Sequence, residues 1–145
     1  MFKRFINLWL PLIIWAGLIF YLSSLPYLRT SLDTFWDTIL RKIAHMVEYG
    51  IFFLLLARAM KKPLIWSIVL SILYAISDEF HQSFVPGRNM ALLDICFDST
   101  GVLLGYLIWW KILLKNFIDK KVKMCIEKLR YLLVEILTFF EQNPD

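Results

Sequence analysis

The stretch Leu64–Arg88, LIWSIVLSILYAISDEFHQSFVPGR, changes character twice. From Leu64 to Ser77 every residue is apolar or small, and with Phe80 the run reaches the length of one membrane pass, since a helix needs roughly 17–25 residues to cross hydrocarbon. Near its end Asp78, Glu79, His81 and Gln82 bring polar groups into the last turns of the same helix. Val85-Pro86-Gly87-Arg88 then reverses the chain. Proline followed by glycine suits a type II turn, whose third position needs a positive φ. A spanning helix that ends in carboxylates and an imidazole needs neighbours that supply polar partners, so this stretch points to an all-α membrane bundle.

Reading outward, three more apolar runs appear, at Leu8–Leu25, Ile43–Met60 and Met90–Leu114. The first is longer than the apolar core of a signal peptide and has no small-residue cleavage site, so it reads as an uncleaved helix. Pro11 is expected near its start, where a missing N–H costs little. The second run closes at Lys61-Lys62-Pro63. Between the first two, Tyr27–Arg41 is polar and mixed, and Arg29, Asp33 and Asp37 read as a solvated loop. Together the runs predict a four-transmembrane-helix bundle over residues 1–114, with helices near 8–25, 43–60, 64–80 and 90–114. The tail 115–145 places Phe117, Ile118, Val122, Ile126, Leu129, Leu133, Ile136, Leu137 and Phe140 near helical spacing among lysines and glutamates. That pattern predicts an amphipathic helix lying on the membrane surface, with a coiled-coil partner helix as the alternative.

Composition agrees. Hydrophobic residues make up 59% of the 145 and charged residues 19%, and the mean hydropathy is +0.63. A soluble domain carries about 45–50% apolar and about 25% charged residues, so the excess needs lipid. The net charge of +4 does not indicate nucleic acid, because the basic residues flank the apolar runs instead of forming a stripe with stacking aromatics. Cys96 lies in an apolar run and Cys125 in the Lys-rich tail, which argues against a disulfide. No CxxC spacing suggests a metal site.

The flanking charges also predict orientation. With the N-terminus inside, Arg29, Arg41, Lys42 and Arg88 lie outside and the other 12 of the 16 basic residues lie inside. Basic loops stay cytoplasmic, so both termini are expected in the cytoplasm. The start of the second helix, the end of the third and the start of the fourth then share the outer level. Helical spacing puts Lys42, His45 and Tyr49 on one stripe, with Glu48 about 60° aside. Asp78, His81 and Gln82 share a face of the third helix, and Glu79 points about 100° away. Asp94, Asp98, Gly101 and Gly105 form a narrow stripe on the fourth.

Ionisable groups at this depth are costly against acyl chains and mark a functional site by default. His45, Glu48, Asp78, Glu79, His81 and Asp94 are candidates for acid–base chemistry. His45, Glu79, His81 and Asp94 are candidates to hold a divalent metal. Lys42, His45, Tyr49, Glu79, His81, Gln82, Arg88, Asp94 and Asp98 are candidates to bind a ligand. Structural readings compete with these. Gly101-x-x-x-Gly105 suits helix packing alone, Lys42 suits an interface snorkel, Glu79 suits headgroup-level exposure, Asp94 suits an ion pair with Arg88, and His45 suits a bond with Glu48. There is no HExxH, no GxSxG and no phosphate-cradling glycine loop.

Lys42-Ile43-Ala44-His45, Tyr49, the block Asp78-Glu79-Phe80-His81-Gln82-Ser83-Phe84-Val85-Pro86-Gly87-Arg88, Asp94 and Asp98-x-x-Gly101-x-x-x-Gly105 resemble the VanZ-like family over about Leu8–Trp110. Ser23-Ser24-Leu25-Pro26 is similar to the family's first-helix ending, with Leu25 in place of the usual Gln. Position 98 is often Asn in the family and is Asp here. The resemblance implies a multi-pass protein of the bacterial cytoplasmic membrane, tied to the cell envelope and to teicoplanin-type glycopeptide resistance. Its partners would be membrane lipids and a lipid-linked cell-wall precursor or glycopeptide, met by an outward-facing polar cleft. A metal-assisted enzyme acting on lipid headgroups or wall precursors is the alternative. An ion- or proton-coupled transporter is a further one, although no inverted repeat is visible.

Overall fold

The computed structural model describes residues 2–26, 34–60, 64–88 and 92–142, with side chains from 35 onward in the second stretch and up to 132 in the last. Those residues form α1 (Phe2–Ser24), α2 (Thr34–Met60), α3 (Leu64–Gln82) and α4 (Leu92–Gln142), and no strand occurs among them. All four helices are long and apolar enough to cross a membrane. The fold is all-α and multi-pass. The loop residues Arg29 and Asp33, the closing Lys61-Lys62-Pro63, and Met90 lie outside the described residues, as do the side chains of Leu133, Ile136, Leu137 and Phe140.

Residues up to Ile108 form one compact unit. It has an apolar core that includes Leu12, Ile19, Phe52, Phe53 and Leu56, yet Ile13, Ile14, Leu73, Leu103 and Ile108 are exposed, while Ser67, Ser71, Asp78, Glu79 and Asp98 are buried. Lipid makes this arrangement favourable, because it removes the penalty for exposed Leu and Ile and concentrates the cost on polar atoms, which must meet one another. On α3 the buried positions Ser67, Ser71 and Ala75 are all small and recur every fourth residue, so a smooth stripe faces the neighbouring helices.

Three helix boundaries differ from the sequence reading. α1 starts at Phe2, so Pro11 lies inside it and not in its first turn. A proline at position 11 offers no N–H to the carbonyl four residues back. That carbonyl is Asn7 O, and Arg58 Nη2 approaches it to 3.5 Å. α2 starts nine residues before the apolar run. Its first turn carries Asp37, which complements the helix dipole and pairs with Arg41 Nε at 3.2 Å. Asp37 is only 4% exposed, which corrects its reading as part of a solvated loop. α4 does not break at Leu114 but continues to Gln142.

The second unit begins at Trp109. Within it the side chains from Trp110 to Leu132 are all exposed, and Lys121 Nζ sits 5.1 Å from the centre of the Phe117 ring.

Candidate functional site

The site is built where α2 starts, α3 ends and α4 starts. Two cross-links join α2 to α4. Lys42 Nζ donates to Asp94 Oδ1 at 2.8 Å and lies 4.3 Å from the Phe97 ring centre. One turn deeper, His45 Nδ1 and Asp98 Oδ1 are 3.1 Å apart. Asp98 is fully buried and the imidazole is 22% exposed. These pairs can form because the two backbones nearly touch just below them. A Cβ on Gly101 would lie 2.1 Å from Met46 O, and one on Gly105 would lie 2.7 Å from Gly50 O. Gly50, which sequence reasoning passed over, is the α2 member of this seam.

A second group of cross-links joins α3 to α1. Asp78 Oδ2 accepts from Ser23 Oγ at 2.8 Å and from Gln82 Nε2 at 2.9 Å. His81 Nε2 is 3.0 Å from Ser24 Oγ, and its ring stacks on Phe20 at 4.3 Å. Tyr74 donates its hydroxyl to Ala16 O at 2.7 Å. Asp78, His81 and Gln82 therefore share the face toward α1, and Glu79 points elsewhere. Ser23 and Ser24 were absent from the candidate residues, although the Ser-Ser-x-Pro ending was visible in the sequence.

Arg88 follows a turn of the expected kind. Gly87 has φ 81°, and Arg88 N donates to Val85 O at 3.1 Å. The guanidinium donates to Leu25 O (3.2 Å), Leu22 O (3.1 Å) and Gln82 Oε1 (3.0 Å). It makes no ion pair with Asp94, which is held by Lys42 instead. Burial pulls the Arg88 group down from its ordinary pKa, and the Asp78 charge pulls it back up.

Between the two sets of cross-links lies a cleft of ≈ 390 Å³. Arg41, Lys42, His45, Glu48 and Asp94 line one side, and Leu22, Ser23, Gln82 and Arg88 line the other. Several expected residues stand off it. Tyr49 is fully buried among Phe52 and Tyr74. His81 belongs to the α1 contact. Glu79 and Asp98 lie behind His45, with one ligand-capable atom of each of the three within 4.8 Å of the others. Of the four residues expected to hold a metal, this cluster contains His45 and Glu79. His81 and Asp94 stand outside it, and Asp98 takes the third place. The pairing of His45 with Asp98, 53 residues apart, replaces the expected bond with Glu48. No local spacing carries that signal.

This cleft, lined by the cations Arg41, Lys42 and Arg88 and the carboxylates Glu48 and Asp94, can hold a zwitterionic or hydrogen-bonding group, and its imidazole–carboxylate pair can move a proton. No curated protein and no solved structure matches the chain. Residues 8–115 match the VanZ/LLP1 family. They include every cleft residue named above, and the chain belongs to that family.

Proposed function

We propose that this protein resides in the bacterial cytoplasmic membrane, with both termini in the cytoplasm and the cleft open to the outside. There it binds an envelope or lipid-linked ligand, such as a lipid-linked wall precursor or a glycopeptide, and contributes to teicoplanin-type resistance. The observation that carries this reading is the ≈ 390 Å³ cleft lined by Lys42, His45, Glu48, Arg88 and Asp94 at the end of the spanning helices. Side chains of both signs suit a ligand that carries phosphate and amine or amide groups. Groups of this kind at membrane depth cost several kcal/mol against lipid and persist where they serve a site.

A second reading is supported by one observation, the His45–Asp98 pair. A carboxylate that orients an imidazole equips it as a general base. A membrane enzyme acting on lipid headgroups or wall precursors would use His45 in that role, with Asp98 as its positioning residue.

The test is a cycle of substitutions in cells. His45→Ala and Asp94→Asn are each expected to abolish teicoplanin tolerance while the protein still accumulates in the membrane fraction. The double variant should be no worse than either single one, since groups acting as a unit share one loss. Normal tolerance in both single variants, or a loss that merely follows protein level, would overturn the reading.

A further inference from the structure

The geometry points to a divalent transition-metal site behind the cleft, formed by His45 of α2, Glu79 of α3 and Asp98 of α4. The inference goes beyond the ligand-binding reading and does not depend on which ligand enters.

Three observations carry it. First, one ligand-capable atom of each residue lies within 4.8 Å of the others, although the residues come from three different helices. An ion with bonds of about 2.0–2.2 Å would need only a small inward movement of these side chains. Second, Asp98 is fully buried. Its Oδ1 meets the imidazole, but its Oδ2 has no hydrogen-bond partner. Buried carboxylate oxygens are nearly always satisfied, and one left bare costs about 1–3 kcal/mol or more when charged. A cation is the partner that a carboxylate oxygen prefers over any neutral donor. Third, Glu79 is also fully buried, so two acids and one imidazole share a site inside lipid. Two carboxylates confined there repel each other, and a doubly charged ion removes that repulsion without a proton.

The donor set narrows the ion. One imidazole nitrogen and two carboxylate oxygens suit zinc or manganese, whereas calcium and magnesium select oxygen-only shells. Three protein ligands leave a position open, as in metal sites that engage a further group. Of the three, His45 also lines the cleft. His81 is not a ligand: its Nε2 meets Ser24 on α1.

The experiment uses the purified full-length chain in detergent, stripped with a chelator and titrated separately with Zn²⁺ and Mn²⁺. Bound ion is counted by mass spectrometry and thermal unfolding is followed by circular dichroism. The unaltered chain should bind one equivalent of at least one of the two ions and unfold at a higher temperature with it, as any native-state ligand requires. Asp98→Asn should weaken binding by about tenfold or more and reduce the thermal shift at the same ion concentration, while His81→Gln should bind as the unaltered chain does. Should Asp98→Asn fail to fold, His45→Ala, at the most exposed ligand, carries the same expectation. Failure of the unaltered chain to bind either ion overturns the site. So does full binding by the folded Asp98→Asn or His45→Ala chain. The readout is ion bound to purified protein, so its failure is separable from a failure of the teicoplanin assay.

Discussion

Arg88 is a cation that ties down chain ends. Its three oxygen partners are Leu22 O in the last turn of α1, Leu25 O just beyond it, and the amide of Gln82, so one side chain joins the end of α1 to the end of α3. Its aim is set by the residue before it. Gly87 sits at φ 81°, where a side chain with a Cβ costs about 1–3 kcal/mol. Gly87→Val is therefore expected to lower the unfolding temperature in detergent by several degrees and to reduce teicoplanin tolerance. An unchanged unfolding temperature would refute the role given to this turn. The turn was legible in the sequence because Pro86-Gly87 specifies it locally. The fate of His81 was not. Helical spacing places it on the face of Asp78 and Gln82, and it does share that face, but spacing does not say which neighbouring helix the face meets. Its partners Phe20 and Ser24 are supplied by tertiary packing. Asp37 was misread for a related reason: the apolar run that marks the second helix begins only at Ile43, while the helix is extended upstream by the Asp37–Arg41 pair.

The contact of α2 with α4 is made by main-chain atoms. Met46 O and Gly50 O lie where Cβ atoms at 101 and 105 would be, so even alanine would force the backbones apart. Gly101→Val should cost about 1–3 kcal/mol or more, the usual range for overpacking, and should lower both abundance in the membrane and thermal stability. The polar pairs of the cleft lie within two turns of that seam, so separation of the helices should also abolish tolerance in whatever protein remains. Wild-type stability in this variant would refute the close approach. The small-x-x-x-small pattern on α4 announced a packing face in the sequence. Its acceptor, Gly50, did not stand out, because a lone glycine in an apolar run has no pattern of its own. The four helices themselves were legible from apolar length alone, and their ends were less so. Pro11 looked like a start signal but lies within α1, where Arg58 approaches the carbonyl that proline leaves free.

The bundle exposes large apolar side chains and buries polar groups within an otherwise apolar core, and the exposed apolar surface follows from exchanging water for lipid as the solvent. The proposed orientation rests on the distribution of Lys and Arg. In a chain in which Cys96 and Cys125 are replaced by serine, a cysteine introduced at Tyr27 should react with an impermeant thiol reagent added to intact cells. One introduced at Lys61 should react only after lysis. The reverse pattern would place the cleft on the cytoplasmic side and defeat the proposed ligand class. At this scale composition and apolar run length announced the multi-pass helical fold, whereas the cleft was visible only as a shared depth. The facing of its walls depends on how α1 packs, which no periodicity encodes. The glycine seam has one more consequence. It fixes the spacing of α2 and α4 through atoms that every residue possesses, so the register at His45 and Asp98 is held by positions that carry no chemistry. Lineages of such a bundle would exchange the groups at 42 and 94, and those at 45 and 98, as pairs, since a change to one member strands the other, and would adopt a new ligand while inheriting the old scaffold.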